Sequence, residues 1–115
     1  MIDTTTIKQL VNDYGAKKLE VLVSHAETAD LARANKLTNY ALVGNLKGVA
    51  LEAEALRISA KFLGMQRVAN RATELLRLTE LENKGQAFLN CQAIANLVAT
   101  EINQDFKAVY EAVSI

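Results

Sequence analysis

The stretch Leu46-Lys47-Gly48-Val49-Ala50-Leu51-Glu52-Ala53-Glu54-Ala55-Leu56-Arg57-Ile58-Ser59-Ala60-Lys61-Phe62-Leu63-Gly64 decides the fold class. Leu46, Val49, Ala53, Leu56, Ala60 and Leu63 recur in steps of three and four, which is an apolar seam along one face of a helix. Lys47, Glu54 and Lys61 fall off that seam. Gly48 is a mild cost inside the first turn. Gly64 closes the stretch and Gly44-Asn45 opens it: glycine suits the end of the preceding helix, and asparagine caps the start of this one.

The same spacing extends in both directions. Upstream, Ala16 to Val43 reads as one long helix, with Leu19, Leu22, Val23 and Ala26 in a stripe that Leu37 and Ala41 resume. Its middle is less regular, with Asp30 and Arg33 among alanines. Before it, Asp3 to Thr6 resembles a helix cap, and Ile7, Leu10 and Val11 follow at helical spacing. Asn12 to Gly15 then reads as a break, so the first helix should have about two turns. Downstream, Gln66 to Glu82 carries Val68, Ala72, Leu75 and Leu78, and Asn83-Lys84-Gly85 reads as a turn. Gln86 to Val113 repeats Phe88, Cys91, Ala95, Val98, Ile102 and Val109. One short helix and four long ones, joined by tight loops, predict an all-α, up-down antiparallel four-helix bundle with a short extra N-terminal helix.

Composition agrees. A chain of 115 residues predicts a single domain over 1–115 with a real core. Half its residues are hydrophobic, yet it has only three tyrosines, three phenylalanines and no tryptophan. With no proline and five glycines it lacks the turn formers of a β-sandwich. Thirteen basic residues balance thirteen acidic ones and no basic block occurs, so no nucleic-acid partner is expected. The single cysteine, Cys91, excludes an internal disulfide and a cysteine metal cluster, and reads as a small buried hydrophobe. No apolar run approaches ~18 residues and no leader pattern opens the chain, so a cytoplasmic protein without a membrane span is expected.

Glu54 to Gly64 resembles the signature of the histidine phosphotransfer (HPt) family, H-x-L-K-G-S-A-x-x-L-G on the second helix of a bundle. Leu56, Ser59, Ala60, Leu63 and Gly64 match in register, and Arg57 replaces the family's lysine. Gly44-Asn45-Leu46 resembles the turn that leads into the signature helix, and helix order and lengths agree along nearly the whole chain. A literal Leu46-Lys47-Gly48 offers a second register. It would put Gly44 at the histidine position and leaves no Leu-Gly at the right distance downstream, so the later register explains more residues.

Two positions depart from the family. Glu54 stands where the family has its phospho-accepting histidine, and Ile58 where it has a glycine. The two are neighbours on one helix face. A small residue there lets a partner approach the imidazole, whereas Ile58 crowds that approach or offers an apolar contact. The resemblance implies a neutral imidazole that attacks an aspartyl phosphate and holds the phosphoryl group as a phosphoramidate. A carboxylate could form only an acyl phosphate and is a poor nucleophile, so the chain is not expected to carry phosphate stably. Three readings of Glu54 stay open. It is a solvated carboxylate paired with Arg57 at i+3, a partial mimic with about one negative charge against nearly two for a phosphate, or a substituted histidine. By the resemblance, Arg57 would help hold a phosphoryl group and meet a partner's acidic pocket, with Lys61 a lesser contributor.

Other chemistry is missing from the sequence. His25 is the one histidine and no signature surrounds it. There is no Cys/His ligand set, no E-x-x-H pair, no phosphate-cradling glycine loop and no G-x-S-x-G. Glu52 and Glu54, two apart, point to different helix faces. Neither metal, cofactor nor autonomous enzyme activity is expected. The resemblance implies a module that docks a response-regulator receiver domain through Glu54, Arg57, Ile58 and Lys61, with a sensor kinase as a further partner. Two alternatives remain: an authentic phosphotransfer protein in a His-substituted form, and a helical interaction or oligomerisation module, for which a homodimer follows from Ala-rich seams.

Overall fold

Asp3 opens the first helix by accepting hydrogen bonds from the amides of Thr5 (3.0 Å) and Thr6 (3.4 Å), two of the donors a helix start leaves without partners. In the computed structural model, which describes residues 2–81 and 84–114, five helices follow: α1 (Thr4–Tyr14), α2 (Ala16–Leu42), α3 (Leu46–Phe62), α4 (Gln66–Thr79) and α5 (Lys84–Val113). No strand occurs among the described residues. The chain is all-helical, as the periodicity predicts. α2 packs on α3, α3 on α4, α4 on α5 and α5 back on α2, while α1 lies against α2 and α5.

The connections are short because glycine and a capping side chain do the work of a loop. Gly44 takes φ +74°, and Asn45 Oδ1 accepts the Gly48 amide at 3.0 Å to start α3. Gly64 takes φ +69° between α3 and α4. Its carbonyl accepts the Asp3 amide at 2.7 Å, which clips the start of α1 to this turn.

The seam of α3 points inward: Val49, Ala53, Leu56 and Ala60 are fully buried, and Leu46 packs at its edge. Leu19, Val23 and Leu37 meet it from α2, Val68, Ala72 and Leu75 from α4, and Cys91, Val98 and Ile102 from α5. Each large apolar side chain so buried contributes about 1.5–3 kcal/mol. Phe106, one turn beyond Ile102 and absent from the expected stripe, is fully buried as well.

The expected boundaries shift in all five helices. α1 runs three turns rather than two: Asn12, Asp13 and Tyr14 stay helical and only Gly15, at φ +82°, breaks the chain. α2 and α3 each end one residue early, with Val43 and Leu63 as caps. α4 stops at Thr79, where the amides of Glu80 and Leu81 turn back to the carbonyls of Arg77 and Leu78. Lys84 and Gly85, expected in a turn, are already helical, while Asn83 and the expected helix end at Glu82 lie outside the described residues. Phe88, expected inward, is half-buried and lies over Gly44, and Ala87 takes the buried place. Leu22 is likewise only half-buried.

Candidate functional site

Opposite its seam, α3 presents Leu51, Ile58 and Phe62, which are 67%, 58% and 46% exposed. Steps of seven and four set them in one line along the helix. Tyr14, the last residue of α1, extends the line: its ring meets Phe62 edge-on, centroids 6.4 Å apart. Single exposed apolar residues are ordinary, but four in a row form a ridge that water solvates poorly.

Glu54 lies beside this ridge. Arg57, one turn on, forks over it, with Nη2 donating to Oε1 at 2.6 Å and Nε to Oε2 at 3.1 Å. These hydrogen bonds hold the Glu54 carboxyl below the usual carboxylate range, and the charge of Lys61 adds to the effect. The Arg57 guanidinium is raised by the same bonds. The i, i+3 pair expected of a solvated carboxylate is present, and Glu54 presents a largely neutralised pair rather than a bare anion. Glu52 is buried while Glu54 faces out, as their spacing requires.

Cations border the ridge. Lys47 and Lys61 share the exposed side of α3. Along α2, Lys18, Arg33, Lys36 and Tyr40 follow at helical spacing, and this row borders α3. Tyr40 lies against Gly48, Arg33 binds the carboxylate that Ser59 reaches, and the Lys18 ammonium is 6.0 Å from the Tyr14 ring. Among the described residues, Lys18, Lys36, Lys47 and Lys61 have no ion-pair partner. The face is therefore apolar in the middle and cationic at its rim.

The five residues that match the HPt signature occupy other places. Leu56, Ala60 and Leu63 are core. Ser59 Oγ donates to Asp30 Oδ2 at 2.5 Å, and Arg33 Nη1 donates to Asp30 Oδ1 at 2.8 Å. Asp30 is fully buried, and burial pushes its carboxyl up against the lowering effect of those two bonds. At Gly64 an added Cβ would lie 3.0 Å from the Asp3 carbonyl oxygen. Packing, turn geometry or, for Ser59, a hydrogen bond to a buried carboxylate accounts for every match, so the matches speak for the scaffold and not for chemistry.

The buried carboxylates are what the sequence reading missed. Asp30 sits on the apolar spacing of α2, between Val23 and Leu37, where the irregular middle was the available signal. Asp105 is three residues past Ile102 and almost fully buried, and Arg67 Nη2 donates to it at 2.6 Å. Arg71 forks onto Glu101 at 2.9 and 3.1 Å, so these pairs tie α4 to α5. His25 is exposed on α2 in a shallow groove with Lys17, Glu20, Ser24 and Tyr110. Cys91 is buried, which pushes its thiol up. Among the described residues no set of three or more His, Cys, Asp or Glu could hold a metal ion, and no helix is long and apolar enough to cross a membrane. No protein-family model, curated protein or solved structure matches this chain.

Proposed function

We propose that this chain is an HPt-like docking module of two-component phosphorelay signalling. It binds a response-regulator receiver domain through the α3 face and does not carry phosphate itself. The scaffold is an up-down antiparallel four-helix bundle, a topology supported by the cyclic packing of α2, α3, α4 and α5 and by their short connections. The setting is the cytoplasm, and a sensor kinase is a second candidate partner.

One observation carries the reading. The Leu51–Ile58–Phe62 ridge, rimmed by unpaired lysines, suits a partner whose binding surface is apolar with acidic groups around it. A receiver's phosphorylation pocket is acidic, and cationic rims raise association rates with such surfaces. Glu54 cannot replace an imidazole as nucleophile, and Arg57 occupies both its oxygens.

The test is binding of receiver domains to the intact chain, with phosphorylated receiver as a second arm. Retention of a receiver without transfer of label to this chain is the expected result. Ile58→Glu should weaken that binding about tenfold or more. If no receiver domain binds, the reading fails. Glu54→His adds a discriminating arm: acid-labile, base-stable phosphorylation of that variant would mark an authentic phosphotransfer scaffold in a His-substituted form.

The structural accounting of Leu56, Ser59, Ala60, Leu63 and Gly64 favours a second reading, a helical interaction or oligomerisation module without a phosphorelay role. A receiver-independent partner that needs Ile58 and Phe62 would support it.

A further inference from the structure

We propose that the outer face of α5 is the contact surface for a second copy of this chain, in an antiparallel two-fold pairing centred on Ala93. Residues 85–100 contain no charged side chain, although 23% of the chain is charged. This sixteen-residue segment spans about 24 Å of helix. Its inner side is core, with Ala87, Cys91, Ala95 and Val98 fully buried. Its outer side carries Leu89 and Leu97, which are 58% and 42% exposed, with Ala93 exposed between them.

The order of the outer residues identifies the occupant. Leu89 and Leu97 lie four residues before and after Ala93, Asn90 and Asn96 three before and after, and Gln86 and Thr100 seven before and after. Steps of three, four and seven all fall on one helix face. The face reads nearly the same in both directions along the helix.

A two-fold contact needs one patch that complements itself, residue for residue. Antiparallel pairing about Ala93 sets Leu89 against Leu97 of the second copy, at both ends. A methyl at the crossing point lets the two helices approach closely. Side-chain amides donate and accept alike, so Asn90 can meet Asn96 of the second copy without a like-charge conflict. Antiparallel helices also oppose their dipoles favourably.

The other apolar face cannot pair with itself in this way. On the α3 ridge, an antiparallel two-fold about Glu54 would set Lys47 against Lys61 of the second copy, seven residues to either side, and like charges would repel. The two faces therefore sort by partner. The α5 pairing does not depend on the receiver-docking reading and leaves the α3 ridge free.

Sedimentation equilibrium of the full chain over a concentration series tests the pairing. A dimer whose dissociation constant changes little between low and high salt is expected, since the α5 segment at its centre carries no charge. Leu97→Glu places a carboxylate in the contact twice per dimer and should raise the dissociation constant by about tenfold or more. Leu97 is exposed, so at concentrations where both chains are monomeric the circular dichroism and thermal melting of the variant should match the parent, whereas at dimer-forming concentrations the parent should melt higher. Ile58→Glu should leave the dimer intact. Ala93→Cys, in a Cys91→Ser background, should oxidise to a disulfide-linked dimer across the axis. A monomer at about 100 µM, well above a micromolar dissociation constant, overturns the proposal. So does a dimer that Leu97→Glu leaves unchanged or that Ile58→Glu abolishes.

Discussion

Ser59 donates to a carboxylate that solvent does not reach, and a hydrogen bond to a buried charge is among the stronger contributions one hydroxyl makes. Ser59→Ala should therefore cost about 1.5–3 kcal/mol in urea unfolding, with helix content unchanged. Gly48 is needed for a different reason. A Cβ there would lie 2.5 Å from Cγ of Tyr40, the root of the ring and not a flexible tip. Gly48→Ala should destabilise by about 1–3 kcal/mol through overpacking, and the penalty should shrink in a Tyr40→Ala background, which a double-mutant cycle would measure. Neither contact was legible in the sequence. Gly48 reads as a weak point in a first turn, because what fills the space beside a glycine belongs to another helix. Asp30 reads as an irregularity, because burial of a carboxylate depends on a hydroxyl 29 residues away.

At the scale of the element, α3 has two apolar faces with opposite assignments. The inner one was fully legible: its seam follows the three-four spacing, and the core fills as that spacing requires. The outer ridge was legible only in part. Ile58 drew notice as a departure from a family pattern, whereas Leu51 and Phe62 join it only when exposure is known, and Tyr14 only when α1 is placed beside α3. Helix ends were the least legible feature. α1 continues through Asn12 and Asp13 because those residues disfavour a helix only mildly, while Gly15 at positive φ ends it outright. The Glu54–Arg57 fork gives α3 a further testable property. Glu54→Gln removes one charge and frees the Arg57 guanidinium, leaving the face more cationic. Affinity for an acidic receiver should rise a few-fold at low salt, and the gain should shrink as ionic strength increases.

For the molecule as a whole, the carboxylates divide into two sets with opposite pH signs. Glu54, Glu74 and Glu101 are each lowered from an ordinary 4.5, chiefly by hydrogen bonds from Arg57, Arg77 and Arg71. Their contribution to stability is present above 4.5 and is lost as pH falls through their lowered folded values. Asp30 is raised from 3.8, chiefly by burial, so its contribution is complete below 3.8 and is lost as pH rises through the raised value. Thermal melts from pH 7 downward should show a loss of stability below about pH 4.5, where the arginine pairs break. Over the same descent the wild type should gain on Asp30→Asn, which has no proton to take up. A constant difference between the two would mean that Asp30 does not titrate in the folded chain.

The edge-on contact of Tyr14 with Phe62 also makes the protein its own optical reporter. The chain has three tyrosines and no tryptophan, so no internal acceptor drains tyrosine emission. Tyr40 is set against Gly48, and Tyr110 donates to Glu27 on the far side of α2. Tyr14 alone stands on the apolar ridge. A partner that covers the ridge and carries a tryptophan would quench Tyr14 by excitation transfer, so docking can be followed without a label.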